Sequence, residues 1–224
     1  MRNSVSRTKV CALILLASTA VIASFFSVGY YPSTDVPFHV GFWFEVVRQW
    51  HEGIAYARWA GQSMYGYGNP TLIFYPPLSR ILGGVLVACL PSRMALGAYG
   101  WLGLVLGGFG SFRLCREIFD DRSSLVAAFA YVINPYCLAV LYIRGALSEF
   151  LAAALFPWFI LAVYRVDEKG KRSVAVLGLL IALLWLTNVP AGVIANYTAA
   201  IIVLVLAWVR RSKALLGLLL LAEI

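Results

Sequence analysis

An acidic residue, Asp35, follows the apolar run 10–30, which carries no charge. A carboxylate in this place can accept the proton of an incoming hydroxyl, as general-base catalysis requires. It can equally cap a helix that begins with Asp-Val-Pro, because proline suits the first helical turn, and the two roles can coexist. His39 lies four residues later, on the same side of that helix, and contacts either a substrate or only the protein.

Arg144 and Glu149 bracket a second short hydrophilic stretch, RGALSE. If the helix after it is to have the roughly 20 residues that a span needs, Glu149 must lie about one turn inside the apolar boundary. A carboxylate there is costly and indicates a functional site by default. Arg144 is its nearest partner. The two form either an interfacial ion pair or a site where the guanidinium binds a phosphate and the glutamate positions a ligand.

The amino-acid composition indicates which kind of secondary structure positions these side chains. Hydrophobic residues make up 62% of the 224 residues and charged residues 12%, with a mean hydropathy of +0.83. Soluble domains carry about a quarter charged residues, so we predict an all-α polytopic membrane protein with a single transmembrane domain over 1–224. The net charge of +8 lies in short Lys and Arg clusters between spans, as cytoplasmic loops require, and does not indicate nucleic-acid binding. The four cysteines have no disulfide or metal-ligand spacing.

The apolar pattern predicts six to seven transmembrane helices, at 10–30, 95–112, 124–143, 146–164, 173–190 and 191–209, with a last segment from 214. Because the chain ends within that segment, we expect it to be truncated at its C-terminus. Segment 72–90 is ambiguous, but if it crossed, every later basic cluster would change sides, against the positive-inside rule. We therefore expect 31–94 to be one extracytoplasmic loop, 72–90 to be interfacial or re-entrant, and the N-terminus to be cytoplasmic.

The long loop is predicted to begin with an amphipathic juxtamembrane helix over 40–52 that lies on the membrane. Its apolar face is expected among the lipid headgroups: Val40, Trp43, Val46, Val47 and Trp50. Its polar face is expected in water: Glu45, Arg48, Gln49 and Glu52. Farther along, the stretch GQSMYGYGNPTLIFYPP offers aromatic side chains that suit either a sugar ring or a membrane-interface belt.

Several motifs follow in a distinctive order: TDVPFH, WHEG, ARW, YGNP, FYPPLSRILGG, YIRGALSEFLAAALFPW and LTNVPAG. In this order the chain resembles the N-terminal half of bacterial GT-C glycosyltransferases, multi-spanning enzymes that use polyprenyl-phosphate-linked sugars. Similar bacterial membrane proteins are often labelled as related to 6-pyruvoyl-tetrahydropterin synthase. The resemblance covers nearly the whole chain and implies a place in the bacterial inner membrane.

The resemblance also implies a reaction, in which a sugar passes from a polyprenyl-phosphate donor to an acceptor hydroxyl on the extracytoplasmic face. Asp35 matches the catalytic acidic residue at the start of the first outer loop, and Glu149 matches an acidic residue of the second. The substrate contacts expected on this basis are His39, Arg58, Arg80 and Arg144. No DxD-type motif is present, so we assign no metal ligand, and a divalent metal has no support in the sequence. The acceptor, whether glycan, lipid or protein, stays open.

Two other classes of function stay open. A lipid or polysaccharide transporter or flippase would place ionisable residues or broken helices near the midplane. The predicted spans are interrupted at Asn134-Pro135 and Asn188-Val189-Pro190 but carry no charge away from their ends. A non-catalytic membrane scaffold would tolerate amide replacement of Asp35 and Glu149.

Overall fold

The computed structural model describes residues 5–30, 33–166 and 171–210, together with Gly217. Over these residues the regular secondary structure is helical, which confirms the predicted all-α class. A 3₁₀ turn covers Met64–Gly66, and a π-helical turn covers Val140–Arg144. The α-helices are α1 (Arg7–Val28), α2 (Val36–His51), α3 (Thr71–Phe74), α4 (Pro77–Cys89), α5 (Ser92–Cys115), α6 (Asp121–Val132), α7 (Pro135–Ala139), α8 (Leu147–Tyr164), α9 (Lys171–Thr187) and α10 (Val189–Arg210).

Within the described residues, five helical stretches are long and apolar enough to cross a membrane. They are Arg7–Val28, Ser92–Cys115, Asp121–Arg144, Leu147–Tyr164 and Val189–Val209. The shorter apolar helix α9 corresponds to the remaining predicted span, 173–190. The last predicted segment, from 214, lies outside the described residues except for Gly217.

The segment between α1 and α5 starts and finishes at one end of the helix bundle. A Cβ atom placed on Gly29 would lie 3.4 Å from the carbonyl oxygen of Arg93, so the end of α1 and the first turn of α5 are adjacent. Helix α4 has 13 residues, which gives about 20 Å of helix against a hydrocarbon thickness of about 30 Å. This geometry agrees with the prediction that 72–90 does not cross. We call this end of the bundle the loop end.

Helix α5 is the centre of the bundle, because α1, α4, α6 and α8 all pack against it. Its glycines allow the close approach. A Cβ atom on Gly103 would lie 2.2 Å from the ring of Phe150, and one on Gly107 would lie 2.0 Å from the ring of Tyr131. Small residues at helix interfaces serve the same purpose in membrane proteins generally, where packing and not the hydrophobic effect drives association.

The prediction that the apolar face of α2 lies in the headgroups is wrong for its central residues. Trp43 is fully buried and Val46 is 2% exposed, because this face packs on α4. A Cβ atom on Gly83 of α4 would lie 2.0 Å from the Trp43 ring. The same ring stacks on Tyr99 of α5, with 5.1 Å between centroids. Helix α2 is therefore fixed to the protein through its tryptophan.

The prediction that the Glu45 side chain is exposed to water is also wrong. Its side chain is 5% exposed and accepts hydrogen bonds from Arg48 at 2.5 Å, Gln49 at 2.7 Å and the Gly61 N–H at 3.0 Å. Burial is the largest single influence and alone would raise the pKa of Glu45, but these hydrogen bonds together hold the pKa below its usual value. The carboxylate thus fastens the following loop to α2.

Candidate functional site

The start of α2 is joined to the junction of α7 and α8 by a backbone hydrogen bond. The Asp35 N–H donates to the Arg144 carbonyl oxygen at 2.8 Å. The two residues are far apart in sequence, and this bond places the first predicted catalytic residue beside the predicted phosphate-binding arginine. The charge of the Asp35 carboxylate acts only weakly on the Arg144 guanidinium, whose main partner is Glu149.

Gly145 makes this approach possible. It has a φ of +70°, in the left-handed region that glycine adopts without strain. A Cβ atom here would lie 2.4 Å from the Ser33 Oγ and 2.8 Å from the Val36 backbone nitrogen. The turn after Arg144 therefore fits directly against the N-terminus of α2 only because residue 145 has no side chain.

Asp35 occupies the N-cap position of α2, as predicted, but its side chain makes no capping hydrogen bond. The Ser33 hydroxyl takes that role and accepts from the Val36 N–H at 3.3 Å. Asp35 itself is half-buried. Since capping does not use its carboxylate, the group is available for other chemistry at the loop end.

Glu149 and Arg144 form a two-point ion pair. Two guanidinium nitrogens of Arg144 donate to the two carboxylate oxygens of Glu149 at 3.0 and 2.9 Å, the bidentate geometry that arginine favours. The side chains are 51% and 28% exposed, so the pair is open to ligands. Glu149 lies in the first turn of α8, where the helix dipole favours a negative charge.

Tyr136 completes this cluster and is absent from the sequence-based set. Its hydroxyl donates to the Glu149 carboxylate. It reaches this position because the span 121–144 is interrupted. Asn134 caps α7 by accepting from the N–H groups of Tyr136 and Cys137, with Pro135 in the first turn. The Asn-Pro pair was the only sequence signal for this arrangement, and it did not indicate which side chain would turn toward Glu149.

His39 follows Asp35 on α2 and is half-buried. Burial lowers the pKa of His39 to about 4, although the nearby Asp35 carboxylate opposes the shift. The imidazole is therefore neutral at physiological pH. In that state it can exchange hydrogen bonds with a substrate but adds no positive charge to the site.

Arg80 and Arg58 serve the loop in this structure. Arg80 is 3% exposed and donates to the carbonyl oxygens of Ala57 at 3.0 Å and Tyr75 at 3.1 Å, and to that of Leu72. Burial lowers the pKa of the Arg80 guanidinium, which also lies over the Tyr56 ring. Arg58 lies over the same ring, 5.6 Å from its centroid. In the described part of the chain, neither arginine forms a hydrogen bond or ion pair with Asp35, Arg144 or Glu149, and their contact with substrate stays a prediction.

Tyr99 fixes the position of the helix that carries Glu149 through hydrogen bonds of its hydroxyl group. Its hydroxyl donates to the Leu147 carbonyl at 3.1 Å and lies 2.7 Å from the Ser79 hydroxyl. This network connects α4, α5 and the first residue of α8, and it fixes the end of α8 that carries Glu149. Over the residues that the structure covers, no three His, Cys, Asp or Glu side chains are grouped so that they could hold a metal ion.

Comparisons with known proteins identify the family. Searches of curated proteins and of solved structures find no significant match. The sequence model of one family, described as "6-pyruvoyl-tetrahydropterin synthase related domain; membrane protein", matches residues 72–224. The matched region contains Arg144 and Glu149 but not Asp35. Because the match covers most of the chain, this multi-helix membrane protein belongs to the 6-pyruvoyl-tetrahydropterin synthase related family of membrane proteins.

Proposed function

We propose that the protein is a membrane glycosyltransferase that moves a sugar from a polyprenyl-phosphate donor to an acceptor hydroxyl. The observation that carries the proposal is the 2.8 Å main-chain hydrogen bond from Asp35 to Arg144, because it brings a residue whose carboxylate is not used for capping and a residue with a guanidinium to the same end of the bundle. The resemblance of the chain to GT-C enzymes supports the same reaction. The proposed site faces the extracytoplasmic side of the bacterial inner membrane, as the distribution of basic residues suggests.

In the proposed reaction, the acceptor oxygen attacks the anomeric carbon of the donor sugar. The bond from that carbon to the phosphate oxygen breaks, and its electron pair leaves with polyprenyl phosphate. Asp35 accepts the proton of the acceptor hydroxyl as general base. Arg144 binds the phosphate and stabilises its growing negative charge, while Glu149, which accepts a hydrogen bond from Tyr136, positions the guanidinium.

The pair at Arg144 is suited to such a role because it is partly exposed. A surface ion pair is worth only about 0–1 kcal/mol, so an incoming phosphate can compete for the guanidinium at small cost. His39, neutral and one helical turn from Asp35, is placed to hold a sugar hydroxyl.

The test is transfer from radiolabelled polyprenyl-phosphate sugars in membranes that contain the protein or its Asp35→Asn variant. Asparagine keeps the backbone N–H that bonds Arg144, so the variant retains the local fold. We expect transfer to fall about 10²–10⁴-fold, the usual contribution of a general base. The matched control is Glu52→Gln, which neutralises an exposed carboxylate at the other end of α2 and leaves transfer unchanged. Equal transfer by Asp35→Asn and wild type, or none by wild type from any such donor, would contradict the proposal.

The transport alternative has one observation in its favour, the interruption of a span at Asn134-Pro135 followed by a π-helical turn. Broken helices are typical of substrate sites in transporters. A flippase would move a fluorescent lipid-linked sugar across the bilayer of proteoliposomes with its glycosidic bond intact. Transport without bond cleavage would therefore favour this class, and cleavage with transfer favours the glycosyltransferase.

A further inference from the structure

A cavity of about 730 Å³ lies at the end of the bundle opposite the loop end. It opens between α1, α5 and α8, near the start of α6. Its apolar wall comes from the second half of α5, through Leu102, Val105, Leu106 and Phe109. The volume is within the range of about 300–1,000 Å³ that ligand sites occupy. Leu102 is 36% exposed at the side of the bundle, so an acyl chain can enter from the bilayer.

The mouth of this cavity is basic. Three arginines line it, Arg7, Arg113 and Arg116, against one carboxylate, Asp121. That carboxylate is already occupied: one of its oxygens lies 2.8 Å from the Arg116 Nε, and the other accepts from the Val5 N–H at 3.0 Å.

Arg7 and Arg113 thus remain without a counter-charge. Both are exposed, and among the residues that the structure describes neither forms an ion pair. They lie in the first turn of α1 and the last turn of α5. Arginines at the ends of spans lie at headgroup depth, where they meet lipid phosphates.

We propose that this cavity binds an anionic phospholipid, with the phosphate between Arg7 and Arg113 and one acyl chain along α5. An apolar wall below an unneutralised basic mouth is complementary to an amphiphile with a negative headgroup. Charge-assisted hydrogen bonds from guanidinium groups to phosphate are among the strongest in proteins. Basic pockets between transmembrane helices are a recognised form of headgroup binding.

The first test titrates the purified protein, held in phosphatidylcholine nanodiscs, with short-chain phosphatidylglycerol and follows its thermal unfolding. The double variant Arg7→Gln/Arg113→Gln should bind about thirtyfold more weakly, as the loss of two headgroup arginines implies. The control is Arg122→Gln, an exposed arginine at the same end outside the cavity. Equal binding by the double variant and wild type, or an equal effect of added phosphatidylcholine or of inorganic phosphate, would overturn the proposal.

The second test uses the wild-type chain and so does not depend on the folding of a variant. Cys11 lines the cavity and is exposed, while Cys89 is exposed at the loop end, where α4 finishes. Bound phosphatidylglycerol should slow maleimide alkylation of Cys11 several-fold and leave that of Cys89 unchanged, as read by peptide mass spectrometry. No protection of Cys11, or equal protection of both cysteines, would refute a lipid in this cavity.

Discussion

The substitution Gly145→Ala tests whether the turn after Arg144 positions the site. An alanine at a φ of +70° is strained by about 1–2 kcal/mol. Its Cβ atom would also collide with the Ser33 Oγ at 2.4 Å and the Val36 nitrogen at 2.8 Å. Overpacking of this kind costs about 1–3 kcal/mol. The sum, about 2–5 kcal/mol, corresponds to a fall in apparent Tm of about 4–20 °C for a chain of this size.

The matched control is Gly53→Ala. Gly53 also has a positive φ, +81°, but a Cβ atom there would meet no atom within 4 Å. This variant carries the backbone strain without the collision, so its apparent Tm should fall by only about 2–8 °C.

Thermal unfolding in detergent measures the loss of stability in both variants. Amide hydrogen exchange over 33–40 measures whether the hydrogen bond from Asp35 to Arg144 is kept. Gly145→Ala should speed exchange at Asp35, because the collision separates its N–H from the Arg144 carbonyl, while Gly53→Ala should not. If the two variants lose the same stability and both keep Asp35 protected, the close fit of the turn against α2 does not hold the site together.

Three further predictions concern neighbouring features. The pKa of His39 is about 4 in the folded protein against an ordinary value of 6.5. Between pH 4 and pH 6.5 the imidazole therefore binds a proton only in the unfolded chain. The free energy of unfolding should consequently fall by about 1–3 kcal/mol as the pH drops from 6.5 to 4. His39→Gln should abolish this slope in pH-dependent unfolding, whereas the control His51→Gln should retain it. Gly83→Ala should lower stability by about 1–3 kcal/mol, since its methyl group would overlap the indole ring packed on α4; an unchanged Tm would argue against that packing. In a cysteine-free background on intact cells, an impermeant maleimide should label Tyr65→Cys and not Ser123→Cys, and labelling of the second alone would invert the proposed orientation.

The sequence predicted the positions of the long helices that the structure describes and the end of the bundle at which the loops gather, while the side of the membrane that this end faces stays a prediction. Long uncharged runs force helices in a bilayer, because no other partner satisfies their backbone groups. Counting the basic residues on the two sides of the membrane predicted that 72–90 does not cross. The adjacency of Gly29 and Arg93 agrees with that prediction. The same sidedness led us to expect Asp35 and Glu149 at one end, where the structure brings both next to Arg144.

The errors concern polar side chains with partners that are distant in sequence or belong to the backbone. Helical periodicity assigned Glu45 to water, but a loop glycine folds back and donates to it. The sequence also did not indicate that loop carbonyls would surround the guanidinium of Arg80, whose contact with substrate stays a prediction. Tyr136 was overlooked because its contact with Glu149 depends on how the chain turns at Asn134. The periodicity of apolar residues predicts which face of a helix is buried against the protein. It contains no information on which loop will cover the polar face of that helix.

Helices α2 and α4 pack together where the Trp43 ring lies over Gly83, and they form one structural unit. This α2–α4 unit contacts the rest of the bundle through side chains, where Trp43 stacks on Tyr99 and the Ser79 hydroxyl lies 2.7 Å from that of Tyr99, and through the main-chain bond from Asp35 to Arg144. A displacement of this unit that kept the main-chain bond would therefore also move the backbone of Arg144. Under the proposed function, an acceptor that displaced this unit would thereby shift the guanidinium proposed to bind the donor phosphate.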